Sequence, residues 1–178
     1  TGIRTPEAQA VWEQLFAGPL AGLRITRIIV SHYHPDHIGL AGWLCERFGA
    51  PLLTSYSTYA ASKMLSLDPQ SMSSEQSRSF YQRYGMSAEA AEIVATHGHD
   101  YLRQVAPLPE TFLRLLLGDT LIVGSRRFRV LSADGHAPEQ IMLYAPEDSL
   151  LLAADQVLEQ ITPNISVWAM EPDGDPLG

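Results

Sequence analysis

His32, His34, Asp36 and His37 put four side chains able to hold a metal ion within six consecutive residues. They follow directly on residues 24–30, a β-branched segment that ends in the apolar run Ile28, Ile29, Val30. Such a run predicts a strand buried on at least one face. Along extended backbone, positions i and i+2 project to the same side. His32 and His34 can therefore reach one ion from the end of that strand. Asp36 and His37 fall where the chain turns into a helix expected over residues 37–48, and can address a neighbouring position. Pro35 restrains the backbone at that turn and suits the start of a helix. Neutral imidazoles with a carboxylate are the donor set expected for zinc, and iron or manganese can use it too.

The rest of the chain supplies a framework for this turn. Thr5, Pro6 and Glu7 make a helix start, and Val11, Trp12, Leu15 and Phe16 recur at helical spacing, so a helix is expected over 6–17. Leu52, Leu53 and Thr54 predict a strand after the second helix, giving a βαβ rhythm. Residues 56–117 change character toward Ser, Gln, Glu, Met and Ala. Three helices are expected there, around Tyr59 to Leu67, Phe80 to Tyr84 and Ala88 to Val105, with no strand. Two hairpins follow. Residues 120–123 and 127–131 flank Gly124 and Ser125, and residues 141–144 and 150–153 flank Pro146, Glu147 and Asp148. The tail from Glu171 reads as loop.

Composition narrows the function classes. Lys and Arg total 12 against 20 Asp and Glu, a net charge of −8. Nucleic acid is not expected as a partner, because that affinity rests on clustered cations. The run Arg126, Arg127, Arg129 reads as a solvated strand face. A single cysteine, Cys45, excludes a disulfide framework and a Cys-rich zinc module; inside the helix after the turn it reads as a buried, inert thiol. No apolar run approaches the length of a membrane span, so no membrane partner is expected, and the absence of a visible signal peptide points to the cytoplasm.

The segment Ser31-His32-Tyr33-His34-Pro35-Asp36-His37 resembles the metal-binding signature of the metallo-β-lactamase-fold hydrolases, His-x-His-x-Asp-His after a strand and before a helix. In that family a third histidine follows a later strand, commonly after Gly, and Gly135-His136 matches it. A bridging aspartate follows the next hairpin, and Asp155 matches that position. The resemblance implies an α/β fold, a four-layer αββα sandwich present in part. One domain would span 1–178, incomplete, with the helical insertion 56–117 within it as a cap over the active site. His32, His34 and His136 would bind a first metal, Asp36 and His37 a second, and Asp155 would bridge them. Two zinc ions per chain are implied, with iron or manganese as alternatives. Asp36 would also act catalytically, orienting the nucleophile or shuttling a proton.

The activity implied is metal-dependent hydrolysis of a small molecule, a metal-held hydroxide attacking an acyl carbonyl. The likeness is strongest to the glyoxalase-II-like group, so a thioester or similar activated ester is expected. A lactone or β-lactam is the alternative within hydrolases. Outside that class stand a non-catalytic metal-binding fragment and a protein like the mononuclear iron sulfur dioxygenases. A homo-oligomer is open. The family also has opening strands before a turn like Thr1-Gly2, and a last histidine after the bridging aspartate. No histidine follows His136, so the chain is expected to be the middle of a longer enzyme, its seventh ligand elsewhere. His97 and His99 are expected to be exposed histidines near a helix end.

Overall fold

A computed structural model of the chain describes residues 1–68, 74–97 and 101–177. Seven α-helices and seven strands lie among these residues, with the βαβ rhythm confined to the stretch from β1 to β2. Helix α1 (Pro6–Ala17) is capped by Thr5, whose hydroxyl oxygen accepts from the Ala8 amide at 3.1 Å. Strand β1 spans only Ile28–Ile29, shorter than the 24–30 expected, because only there does a parallel partner exist in β2 (Leu52–Thr54).

The single helix expected over 37–48 is two. Helix α2 (Pro35–Ile38) stops, and α3 (Ala41–Phe48) begins after Leu40. Backbone groups at the break bond outside the helix: the Leu40 amide donates to Gly2 O at 3.0 Å, and Gly39 O accepts from the Ala106 amide at 2.7 Å. Gly39 admits this approach because a β-carbon there would run into the carbonyls of Pro35, Gly2 and Gln104. Gly42, one turn on, faces the Pro107 carbonyl in the same way.

Helices α4 (Tyr56–Leu67), α5 (Glu75–Arg83), α6 (Ala88–His97) and α7 (Tyr101–Gln104) follow. The expectation that residues 56–117 hold no strand is corrected by β3 (Leu113–Arg114), which pairs in parallel with β2 and completes a three-stranded sheet. Pro107 and Pro109 end the helical stretch and return the chain extended, so the apolar run after Phe112 meets the open edge of β2.

Strands β4 (Thr120–Val123), β5 (Arg126–Ala133), β6 (Gln140–Ala145) and β7 (Leu150–Leu152) form a four-stranded antiparallel sheet of two hairpins in sequence order. Both hairpins fall where the turn residues predict. Gly124, at φ +60°, allows the two-residue turn between β4 and β5.

Strands β1 and β2 of the first sheet are packed on both faces, which explains their unbroken apolar runs. Ile28, Val30 and Leu52 pack with Leu44 and Val105 under the helices. Ile29 and Leu53 turn the other way, onto Phe128, Val130, Ile141 and Leu143 of the second sheet. Each fully buried aliphatic side chain contributes about 1.5–3 kcal/mol. Ile122, Arg127 and Arg129 on the second sheet are exposed. No helix among the described residues is long and apolar enough to cross a membrane.

Candidate metal centre

The two sheets meet at the end of β1. There the Ile141 amide of β6 donates to the Ser31 carbonyl at 2.9 Å. His32 follows and is fully buried. His34 is the extended residue before α2, so its ring returns toward His32: His32 Nε2 and His34 Nδ1 lie 3.0 Å apart. His136, three residues beyond β5, reaches the same point, its Nε2 2.9 Å from His34 Nδ1. Asp155 arrives from β7 through a 3-10 turn. Ala154, at φ +47°, takes a backbone conformation rare for a residue with a β-carbon and turns the chain back at the site.

Asp155 presents its two oxygens to different neighbours. Oδ2 lies 3.4 Å from His136 Nε2, and Oδ1 lies 3.2 Å from His37 Nε2. His37 Nε2 is also 3.2 Å from Asp36 Oδ2. The result is two donor groups with one member in common. His32, His34, His136 and Asp155 form one, and Asp36, His37 and Asp155 the other, with the ligand atoms of each within 4.8 Å of one another. All six residues that the sequence singled out as ligands converge here. Of the other histidines, His97 ends α6, and His99 lies outside the described residues. Cys45 lies on the buried face of α3, where burial pushes its thiol up to about 11.

The donor chemistry fits a divalent cation. His136 Nδ1 lies 2.8 Å from the carbonyl of Asn164, which can only accept, so this nitrogen carries the ring proton. In the neutral ring Nε2 then offers a lone pair, and it faces the Asp155 carboxylate oxygen and His34 Nδ1. One proton on His34 Nδ1 could serve either His32 or His136, never both. Lone pairs therefore face one another in this cluster, and a cation among them turns that repulsion into ligation. Burial, and then the neighbouring rings His37, His34 and His136, lower the pKa of His32 to about 2. Burial and His136 bring His34 to about 4, against the pull of Asp36 and Asp155. Both rings stay neutral near neutral pH, the state a metal requires.

Three supports were not read from the sequence. The Tyr101 phenol of α7 lies 2.8 Å from the Tyr33 carbonyl, between the first two histidines, and 2.9 Å from the Ser62 hydroxyl. Glu139 accepts from the Ser57 amide at 3.0 Å and the Ser57 hydroxyl at 2.7 Å, tying the start of α4 to the turn after His136. The carbonyl of Asn164 has no side-chain signature at all. For Tyr101 the only signal was an aromatic residue at the end of a polar stretch.

Fold and site together define an α/β protein with a histidine- and aspartate-rich divalent-metal site at the junction of two sheets. The metallo-beta-lactamase superfamily pattern matches residues 1–177, and the chain belongs to that superfamily. It is similar to a beta-lactamase domain protein from Burkholderia ambifaria, with 32% identity, 99% of this chain and 50% of that one covered, and a TM-score of 0.81. A metallo-beta-lactamase family protein from Thermus thermophilus is 30% identical over 95% of this chain and 53% of that one, with a TM-score of 0.75. An uncharacterized protein of Aquifex aeolicus is 26% identical over 132 residues, 74% of this chain and 49% of that protein. The chain thus spans about half the length of these relatives.

Proposed function

We propose that this chain carries the catalytic metal site of a binuclear hydrolase that cleaves a thioester or a similar activated ester. The observation that carries the reading is the Asp155 carboxylate, one oxygen toward His136 and the other toward His37. In this reading His32, His34 and His136 hold one ion, Asp36 and His37 hold the other, and Asp155 is shared. Zinc is the metal proposed, because neutral imidazoles with a carboxylate are a donor set it commonly takes, one that iron and manganese can also use. Bound there, the ions supply an acidified water and polarise a carbonyl.

The chain's own groups do the rest. His32 and His34, their pKa values lowered mainly by burial, stay unprotonated near neutral pH, so these two donors persist there. Asp36 is the most exposed of the six, its side chain 60% accessible, and it keeps Oδ2 toward His37. Its other carboxylate oxygen is the one we assign to accept the proton of the attacking water. Helices α4 to α7 act as a cap that sets substrate choice. Two attachments support this role: Tyr101 to the Tyr33 carbonyl and Ser57 to Glu139, each beside a histidine of the site.

The test is a panel of thioesters, lactones, β-lactams and phosphodiesters offered to the zinc-loaded protein, with metal content measured in parallel. Thioester hydrolysis with two zinc ions per chain is expected. Asp36→Asn should slow it by about 10²–10⁴-fold, the usual contribution of general base catalysis. Turnover of phosphodiesters alone, or a single zinc that survives Asp36→Asn and His37→Ala, overturns the reading.

A further inference from the structure

Ser31 stands behind both donor groups at once. Its Oγ lies 3.0 Å from His32 Nδ1 and 3.4 Å from His37 Nδ1. Those two rings belong to different groups. His32 turns Nε2 toward His34 and Asp155, and His37 turns Nε2 toward Asp36 and Asp155. Each ring thus shows one nitrogen to its donor group and the other to the same hydroxyl.

Proton accounting fixes what that hydroxyl does. A neutral imidazole carries one ring proton, and a nitrogen that binds a metal cannot be the one that carries it. If both rings ligate through Nε2, both Nδ1 atoms are N–H donors. They converge on one oxygen, and a serine hydroxyl has two lone pairs to receive them. Its own proton is left to point elsewhere, and Ser31 borders a cleft of about 400 Å³ between the sheets where it has room. The backbone that carries this hydroxyl is anchored, since the Ser31 carbonyl accepts from the Ile141 amide at 2.9 Å across the sheet junction.

We propose that Ser31 is a positioning residue that sets the tautomer and orientation of His32 and His37 together, so that the two metal positions are supported by one hydroxyl. The inference rests on the reading of these histidines as metal ligands. It adds that a change outside the ligand set weakens both positions. Groups that orient ligating histidines commonly affect metal affinity by about 10–100-fold.

Zinc affinity at each position, read by competition with a chromogenic chelator, tests this in the full chain and in Ser31→Ala, Ser31→Val and Ser31→Thr. Ring nitrogen spectra of the zinc-loaded protein report the tautomers. Ser31→Ala and Ser31→Val should each weaken both positions by about 10–100-fold. Ser31→Thr keeps the oxygen and should restore affinity to within about threefold, a rescue that the similarly shaped valine cannot give. The wild-type spectra should show protons on Nδ1 of both His32 and His37. Equal affinities in all four proteins, loss at one position only, or a threonine variant as weak as valine overturns the proposal. If the wild-type protein takes up zinc no better than a His32→Ala control, the ligand reading itself fails and the proposal goes with it.

Discussion

Oδ1 of Asp155 lies 3.2 Å from Nε2 of His37, although the aspartate follows β7 and the histidine belongs to α2. The other oxygen of the same carboxylate faces His136. One side chain thus belongs to both donor groups, and the two are not separable by distance. Replacing Asp155 should therefore damage both positions, unlike a change at His37. Asp155→Ala is expected to reduce bound zinc from two per chain to at most one weakly held ion, and His37→Ala to leave one tightly held. Elemental analysis after dialysis against a weak chelator distinguishes them.

The metal-free protein should lose stability as pH falls from 6.5. His32 and His34 have folded-state pKa values of about 2 and about 4, both below the usual 6.5. Above pH 6.5 neither the folded nor the unfolded chain binds a proton at these rings, and the contribution is flat. Between 6.5 and about 4 the unfolded chain takes up protons that the folded chain refuses, so unfolding is favoured. The slope approaches about 1.4 kcal/mol per pH unit for each ring. Urea unfolding between pH 8 and 4.5 measures it. Zinc at about 100 times its dissociation constant should add about 2.7 kcal/mol near neutral pH.

Tyr101→Phe should loosen the metal loop from the helical segment. Burial raises the Tyr101 phenol to about 12, so it remains a donor across the working range. Removing its oxygen leaves the Tyr33 carbonyl short of this partner and costs about 1–3 kcal/mol. Thermal unfolding reads the loss. Zinc affinity should fall with it, because that carbonyl lies between His32 and His34.

Gly42→Ala should destabilise the fold without touching the site. The new methyl group would meet the Pro107 carbonyl, part of the backbone that leads into β3. Overpacking against fixed backbone costs about 1–3 kcal/mol or more. Denaturant titration checks it, and a midpoint unchanged from wild type would contradict the close approach of α3 to this segment.

Much of the architecture was legible in local residues. The Thr5 cap, Gly124 and the turn at Pro146 to Asp148 are short-range signals, and α1 and both hairpins fall where those signals put them. The misjudged elements depend on partners far along the chain. Ile25 and Thr26 are β-branched like Ile28 and Ile29, yet only the latter pair has Leu52 and Leu53 to pair with. Leu113 and Arg114 carry no strong strand signal, and β2 recruits them through backbone hydrogen bonds that any residue can make.

The site divides in the same way. The residue types and the close spacing of His32, His34, Asp36 and His37 are properties of the sequence, because ligation depends on which atoms a side chain carries and on a reach of a few residues. Gly135-His136 and Asp155 were legible through the family pattern. What the tertiary structure decided is orientation: which ring nitrogen faces inward, which carboxylate oxygen meets which histidine, and which oxygen faces the outer nitrogen of a ring. Ser31 Oγ faces His32 and His37, Asn164 O faces His136, and the Tyr101 phenol faces the Tyr33 carbonyl between the first two histidines. The Asn164 carbonyl acquires such a role only because folding brings a ring from a distant part of the chain within about 3 Å of it.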